Sequence, residues 1–344
     1  MIKANTTRQS IALIAVAVAA LLLGKCSSDN EPEKKYFHNT GYVFGTYYNI
    51  RYEATEDLEP QIQAAFKDFD NSLSMFNPYS VLSAVNANRD TITNEAFELM
   101  WEEATRVYEL SGGAFDITVA PLVNYWGFGN ESRKSTDESR KTAIDSLMNF
   151  VGFEKVQLVN HKVIKSDPRV MVDAGAVAKG QSCDMIAEVL RKNGCTNYLV
   201  DIGGEVVAKG VNNEGKAWRI GIAKPNLNNE GAEKRPQEIL ALKDACLATS
   251  GNYRNFYYDG DVRRSHTIDP RTGWPVQHSV LSATVISETC MRADALATAC
   301  MVLGEEEAIR MIERAGNAAC YLIVAENDSL VIKTSENWMK MITK

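Results

Sequence analysis

The hydrophobic residues of this chain recur with two different periods, and the order of those periods limits the possible folds. Strand-like alternation or short apolar runs occur at residues 43–52, 170–172, 197–202, 218–222, 281–286, 319–325 and 330–333. Helical spacing occurs at residues 58–73, 93–111, 136–150, 179–192, 289–303 and 305–315. Because the strands and helices do not alternate strictly, the pattern predicts an α+β fold, with mixed sheets flanked by helices, rather than a doubly wound parallel sheet.

Turn-forming residues indicate where these elements end. Ser, Asn and Pro residues between 73 and 86 predict a loop or a broken helix, and Gly112 predicts a C-terminal cap for the preceding helix. The last two apolar segments predict a closing hairpin. There is no internal repeat and no linker-like segment after residue 36, so residues 37–344 are predicted to form one domain that could contain two lobes.

The N-terminal residues have the pattern of a secretion signal. Lys3 and Arg8 precede an apolar core, residues 11–23, whose 13 residues are fewer than the roughly 20 of a membrane-spanning helix. The sequence before Cys26 resembles a bacterial lipoprotein cleavage site, although Lys25 replaces the usual small residue. We therefore predict a signal peptide at 1–25, lipidation of Cys26 and a polar tether at 26–36; an uncleaved signal anchor is the alternative.

Charge and cysteine content exclude some classes of protein. The net charge of −7 gives no broad basic surface, so a nucleic-acid partner is not expected. The six cysteines after Cys26 are scattered through apolar segments without a CxxC pair, which predicts buried free thiols, although a disulfide stays open. No Cys/His spacing resembles a zinc site.

A run of small residues, Asp173-Ala-Gly-Ala-Val-Ala-Lys-Gly180, lies at a predicted strand-to-helix turn. Small side chains let a ligand approach the main chain, and the free amides at a helix start attract phosphate oxygens. The run lacks the Gly-Lys-Ser/Thr of a nucleotide P-loop. By itself it is equally consistent with a phosphate site and with a tight packing turn.

Asp294 and Thr298 are four residues apart in a predicted helix, so their side chains share one face. A carboxylate and a hydroxyl directed to the same point are hard oxygen ligands that suit Mg²⁺ or Ca²⁺. The spacing alone is more typical of a pair on the protein surface, so it does not establish a metal site.

Two further segments combine polar and aromatic residues. In residues 265–273, His266 could transfer a proton near neutral pH and Arg271 could face a phosphate, or the segment could be a polar β-turn. In residues 113–116, Phe115 could contact the ring of a ligand, with Asp116 beside it as a hydrogen-bond acceptor. Alternatively, the segment could simply be a helix end and a turn.

These segments, in this order, resemble the ApbE family of FAD:protein FMN transferases along nearly the whole chain after the signal. One such motif is weak evidence, but eight in sequence are specific. The motifs are Phe44-Gly-Thr46, Leu73-Ser-Met-Phe-Asn-Pro78, Gly112-Gly-Ala-Phe-Asp-Ile117, Asp173 to Gly180, Asp201-Ile-Gly-Gly-Glu205, Ala248-Thr-Ser-Gly251, Ser265 to Gly273 and Asp294 to Thr298.

The resemblance implies a T-fold-like catalytic domain at 37–344 that binds FAD and Mg²⁺. It implies transfer of FMN through a phosphoester bond to a threonine of an acceptor flavoprotein subunit of a membrane redox complex, with release of AMP. With a lipid on Cys26, the enzyme would be anchored to the inner membrane and face the periplasm.

The resemblance also implies roles for individual residues. Asp294, the Thr298 hydroxyl and the main-chain carbonyl of Ala176 would hold the metal. The residues expected to contact FAD are Phe44, Phe76, Ala114, Phe115, Asp116, Asp173, Lys179 and the main chain around Ile268. His266 would lie beside the reacting phosphates, and Asp294 or His266 would be the general base, with Asp294 preferred because it would sit at the metal.

This sequence departs from the family pattern at two aromatic positions: Phe44 replaces a frequent methionine and Phe76 a frequent tyrosine. Both keep an apolar contact. Two other functions remain open. One is a metal-dependent FAD pyrophosphatase with the same site, which yields FMN and AMP, and the other is a non-enzymatic lipoprotein that binds flavin.

Overall fold

The structure is a computed structural model, and it describes residues 33–129, 140–226, 232–253, 256–260, 262–327 and 329–342. The predicted signal peptide, Cys26 and most of the predicted tether lie outside these residues. Within these ranges, no helix combines the length and apolar character needed to cross a bilayer. Residues Tyr36–Lys344 form one compact unit.

The helices are α1 (Glu59–Leu73), α2 (Val81–Asn86), α3 (Glu95–Ser111), α4 (Ala120–Tyr125), α5 (Arg140–Leu147), α6 (Ala178–Lys192), α7 (Cys290–Leu303), α8 (Glu305–Ala315) and α9 (Trp338–Ile342). The first eight strands are β1 (Lys35–Val43), β2 (Thr46–Ala54), β3 (Val156–Val159), β4 (Lys162–Lys165), β5 (Tyr198–Ile202), β6 (Glu205–Lys209), β7 (Trp218–Ile222) and β8 (Glu238–Leu242). The others are β9 (Ala245–Gly251), β10 (Phe256–Asp259), β11 (Val262–Ser265), β12 (Ile268–Asp269), β13 (Trp274–Pro275), β14 (Val280–Ser287), β15 (Ala318–Glu326) and β16 (Ser329–Thr334).

The centre of the fold is an eight-stranded sheet in the order β1-β2-β5-β6-β9-β14-β15-β16. From β2 to β16 every neighbouring pair is antiparallel. Helices cover this sheet, and β-hairpins such as β3–β4 and β7–β8 lie outside it. The predicted α+β class is therefore confirmed.

The two faces of the sheet pack against different layers, because alternate residues of each strand point to opposite sides. In β15, Cys320, Leu322 and Val324 join the helical core around α7, whereas Tyr321 and Ile323 pack with the β7–β8 hairpin and α9. Helix α7 is apolar on nearly all sides, as expected for a helix enclosed by the sheet and by α3, α6 and α8.

The first sheet strand was predicted as one segment, 43–52, but the structure has a hairpin there. Phe44 and Gly45 form its turn, with positive φ angles of 50° and 75°, between β1 and β2. Tyr36, inside the predicted tether, already belongs to β1, where its hydroxyl donates to the carbonyl of Val211 at 2.9 Å. The ordered sheet therefore begins before residue 37.

The predicted strand at 170–172 is wrong. These residues pair with no strand of the described chain; instead the side-chain amide of Asn86 accepts from the Val172 N–H and donates to the Val172 carbonyl, both at 2.8 Å. The Asp173 N–H donates to the carbonyl of Ile117. A side chain thus satisfies the backbone groups that a neighbouring strand would satisfy.

Other elements differ from prediction mainly at their ends. The segment 73–86 is a loop followed by the short helix α2, and the predicted helix 136–150 is α5 continued by a 3₁₀ turn, with 136–139 outside the described residues. The Asn94 side chain caps α3 by accepting from the Phe97 N–H, and Gly112 ends it with a φ of 61°. The closing hairpin, β15–β16, is confirmed, and α9 follows it.

Candidate functional site

A cavity of about 350 Å³ lies where α6, α7, β9 and the loops after α3 and β11 meet. Among its wall residues are all those predicted for the site except Phe44 and Phe76. They are Ala114, Phe115, Asp116, Asp173, Ala176, Lys179, His266, Ile268, Asp294 and Thr298. Segments that are far apart in the sequence therefore converge on one concave site of the size typical for small ligands.

Helix α7 presents Asp294 and Thr298 to the cavity on one face, as their spacing predicted. The Thr289 side chain caps the helix by accepting from the Arg292 N–H. The Asp184 carboxylate of α6 accepts from the Cys290 and Met291 N–H groups at 2.9 and 2.8 Å. Burial raises the pKa of Asp184 to about 6. Two caps thus fix the start of the helix that carries the predicted metal ligands.

Gly180 holds α6 against α7. A methyl group at this position would lie 2.3 Å from the Cys290 carbonyl oxygen. The Gly180 N–H donates to Asp294 Oδ2 at 3.0 Å, and Thr298 Oγ1 lies 3.2 Å from Ser250 Oγ. The small-residue run therefore serves close helix packing and also forms part of the cavity wall. Its contact with a phosphate stays a prediction.

Three charged side chains form a cluster in the cavity wall. Lys179 Nζ lies 3.4 Å from Glu205 Oε1 and 3.8 Å from Asp294 Oδ1. The two carboxylates are almost fully buried, with side-chain exposures of 3% and 2%, and Lys179 is 36% exposed. Burial acts to lower the pKa of Lys179, but the charges of Asp294 and Glu205 outweigh it and raise that pKa.

Glu205 belongs to this cluster although no role was predicted for it. Its motif was recognised, but the sequence does not show that the first residue of β6 faces the start of α6. Its Oε2 atom is buried and has no hydrogen-bond partner among the described residues. Burial, together with the charge of Asp294, raises the pKa of Glu205 to about 8 against the opposing charge of Lys179.

The raised pKa of Glu205 gives a pH-dependent stability. Because the folded state favours the protonated form, this group contributes stability that is complete below its ordinary pKa of 4.5 and is lost as the pH rises through about 8. We expect the free energy of unfolding of the metal-free protein, relative to Glu205→Gln, to fall by at least about 1 kcal/mol between pH 5 and pH 8.

Urea titrations of both proteins in the presence of a chelator measure this difference. The glutamine variant keeps the shape of the side chain and cannot ionise, so it corrects for every other titrating group. If the free energies of unfolding of the two proteins stay parallel from pH 5 to pH 9, burial does not raise the pKa of Glu205.

The turn after α3 contributes Ala114, Phe115 and Asp116. The Phe115 N–H donates to Ser111 Oγ, and Asp116 Oδ1 accepts from the N–H and hydroxyl of Thr118 at 2.7 and 2.6 Å. Burial raises the pKa of Asp116. Asp173, whose N–H donates to the carbonyl of the neighbouring Ile117, accepts from the Gly175 N–H at 2.7 Å, and burial raises its pKa also. Each carboxylate thus accepts hydrogen bonds within its own turn, and both residues line the cavity.

His266 follows β11, and its ring lies 6.2 Å from that of Phe128 in an edge-on arrangement. The β10–β11 hairpin that leads to it is tied to α5 by an ion pair between Asp259 and Arg140. Arg271, considered for a phosphate contact, instead pairs with Asp269 at 2.8 Å and is not among the cavity-wall residues.

Phe44 and Phe76 lie away from the cavity wall. The Phe44 ring packs against Phe66 and Phe69 of α1, with centroid distances of 5.7 and 5.3 Å. Phe76 is 77% exposed after the end of α1. Their predicted contact with the flavin rings stays a prediction.

The predicted metal ligands are compatible with a hard cation. No cluster of three or more His, Cys, Asp or Glu side chains suited to a metal occurs in the described ranges. The predicted set has another composition, with one carboxylate, one hydroxyl and one carbonyl, and Asp294, Thr298 and Ala176 all line the cavity. The unpartnered Glu205 oxygen adds a second carboxyl group nearby, so the donor chemistry fits Mg²⁺.

Sequence comparison identifies the relatives of this chain. The model of the ApbE family matches residues 44–322. FAD:protein FMN transferase from Haemophilus influenzae is 36% identical, with 96% of both chains covered. The protein of the same name from Vibrio cholerae is 34% identical, with 96% of this chain and 99% of the relative covered.

Solved structures agree with the sequence matches. The flavin transferase ApbE from Vibrio cholerae superposes with a TM-score of 0.79 at 35% identity, covering 89% of this chain and 99% of that one. The flavinyl transferase ApbE from Pseudomonas stutzeri has the same TM-score at 28% identity, with 91% and 98% covered. Fold, ordered motifs and relatives agree, and the chain belongs to the ApbE family.

Proposed function

We propose that the protein is a Mg²⁺-dependent FAD:protein FMN transferase. It would move FMN from FAD to a threonine side chain of an acceptor redox protein, form a phosphoester bond and release AMP. The observation that carries the proposal is the convergence of Asp294 and Thr298 with the small-residue turn at Ala176 on one cavity. The names of the relatives support the flavin-transfer activity.

The reaction exchanges one phosphorus–oxygen bond for another. The threonine oxygen attacks the phosphorus on the FMN side of the FAD diphosphate, the bond from that phosphorus to the bridging oxygen breaks, and AMP leaves. A metal ion bound by Asp294, Thr298 and the Ala176 carbonyl would neutralise charge on the phosphate oxygens. The proton of the threonine hydroxyl would pass to a base on the cavity wall.

Two residues are candidates for this base. Asp294 and His266 both line the cavity, and either could accept the threonine proton. We retain Asp294 as the preferred base because the proposed phosphate and metal positions lie next to it. Lys179, from the start of α6, supplies a positive charge on the same wall that can contact a phosphate.

Incubation with FAD, Mg²⁺ and an acceptor domain that carries the target threonine tests the function. We expect the acceptor to gain the mass of FMN less one water, and AMP to appear only when the acceptor is present. AMP release at the same rate without acceptor would identify a pyrophosphatase instead. A protein that is yellow on purification but shows no turnover with any divalent metal would be a flavin-binding lipoprotein.

We also propose that Cys26 carries a lipid that holds the enzyme at the periplasmic face of the inner membrane. The acceptor would then be a flavoprotein subunit of a membrane redox complex. The short apolar segment before Cys26 motivates this proposal. We expect Cys26→Ser to release the protein from the membrane fraction and to lose radiolabelled palmitate; retention of both would contradict lipidation at this residue.

A further inference from the structure

We infer that the Lys179 ammonium group occupies the position of a cation between Asp294 and Glu205 in the metal-free protein, and that a divalent cation must displace it. Lysine and metal would then compete for the same carboxylates. This inference rests on the proposed function, because it concerns the same metal site. It assigns Glu205 to the cation position, and it states that metal binding releases Lys179 to contact the FAD phosphates.

The contacts show that the ammonium is loosely held. Lys179 Nζ is 3.4 Å from Glu205 Oε1 and 3.8 Å from Asp294 Oδ1, whereas ammonium–carboxylate hydrogen bonds are usually about 2.7–2.9 Å long. The ammonium therefore balances charge at this position without forming a close bond to either carboxylate.

The carboxylates retain unused capacity to bind a cation. Asp294 Oδ2 accepts from the Gly180 N–H, but Glu205 Oε2 is buried without a hydrogen-bond partner in the described part of the chain. A buried carboxylate oxygen without a partner is costly. A compact divalent cation, with more charge and more coordination positions than an ammonium, would satisfy these oxygens better.

Lys179 is able to leave this position. It lies next to the first residue of α6, its side chain is 36% exposed on the cavity wall, and its stem has several rotatable bonds. A displaced ammonium would remain in the cavity, where the proposed FAD diphosphate would lie. Metal binding would therefore release Lys179 to contact the phosphates, so each ligand would strengthen the binding of the other.

The test is calorimetric titration of Mg²⁺ into the protein without FAD. We expect Lys179→Met to bind Mg²⁺ at least tenfold more tightly than the wild type, because the competing charge is gone, although the same variant should bind FAD more weakly. A lysine that served only to stabilise the site for the metal would give the opposite result, a loss of Mg²⁺ affinity.

Lys333→Met is the matched control. Lys333 also lies between two glutamates, 3.2 Å from Glu305 and 3.4 Å from Glu326, and its exposure of 35% is almost the same. It is not among the cavity-wall residues. Its removal changes the net charge equally, so Mg²⁺ affinity should remain within twofold of the wild-type value.

Lys179→Met leaves two buried carboxylates unbalanced and could impair folding. The double variant Lys179→Met/Glu205→Gln restores the charge balance, and it should bind Mg²⁺ more tightly than Glu205→Gln alone, since Lys179 still opposes the metal at Asp294 in the single variant. If the double variant and Glu205→Gln bind Mg²⁺ with equal affinity, the proposed competition between lysine and metal is overturned.

The two proposals fail in different ways. If the wild type binds Mg²⁺ and transfers FMN but Lys179→Met binds Mg²⁺ equally or less tightly, the inference about Lys179 is overturned and the proposed function stands. If the wild type neither binds Mg²⁺ nor transfers FMN to an acceptor, the proposed function is overturned, and the competition has no metal site to act on.

Discussion

Replacing Asp294 with asparagine is expected to lower the rate of Mg²⁺-dependent FMN transfer at least about a hundredfold, with the fold intact. Metal ions that neutralise phosphate oxygens contribute several kcal/mol to the transition state, and each 1.4 kcal/mol or so is a factor of ten in rate. Asp294 is the only carboxylate among the predicted metal ligands. Its loss would remove the anionic ligand and the preferred base together.

The asparagine variant separates chemistry from folding. Its side-chain oxygen can still accept from the Gly180 N–H, which donates to Asp294 Oδ2 at 3.0 Å. The melting temperature of Asp294→Asn should therefore change little. The Asp294→Ala variant should show a similar loss of FMN-transfer rate. Asp145→Asn, on an exposed part of α5, is the control for charge. Transfer by Asp294→Asn at the wild-type rate would remove Asp294 from the site.

Replacing Gly180 with alanine is expected to cause a large loss of stability from a single methyl group. The added carbon would lie 2.3 Å from the Cys290 carbonyl oxygen, 2.6 Å from its carbon and 2.8 Å from Met291 Cα. These are backbone atoms, so they cannot rotate away and α6 must move from α7. Overpacking of this kind costs about 1–3 kcal/mol or more, and we expect the upper part of that range.

The same displacement should impair FMN transfer. Lys179 and Ala176 lie on the α6 side of the cavity and Asp294 and Thr298 on the α7 side, so a shift between the helices separates them. Gly221→Ala on β7 is the matched control, because there the methyl group would meet only Pro236 side-chain atoms, at 3.3 Å and beyond. A Gly180→Ala protein as stable as Gly221→Ala would refute the close packing of α6 and α7.

Local sequence patterns correctly predicted elements that depend only on neighbouring residues, such as helix α3. The helical spacing of residues 93–111 predicted α3, where Phe97 and Ala104 are buried and Trp101 and Tyr108 are partly buried against the core. Gly112 predicted the C-terminal cap of that helix, whereas the Asn94 cap was seen only in the structure. The strand at 170–172 was mispredicted because an apolar run does not reveal its partner. In the structure that partner is the Asn86 side chain, 86 residues away.

The candidate site was predicted from the order of motifs, and the structure places most of the predicted residues around one cavity. It adds Glu205, whose role depends on a contact between β6 and α6, and it places Phe76 on the surface. Neither fact has a local signature, because a lone acid or aromatic residue has the same sequence context in a core, at a surface or in a cavity.

The sequence alone determined the family, the α+β class and the segments that carry polar groups, because hydrophobic periodicity and motif order are properties of neighbouring residues. Only the tertiary structure decided which of those groups meet. The Gly180–Asp294 hydrogen bond joins residues 114 positions apart, and the Lys179–Glu205 pair joins the start of α6 to the start of β6. Such contacts follow from how the helices pack on the sheet, which no single stretch of sequence specifies.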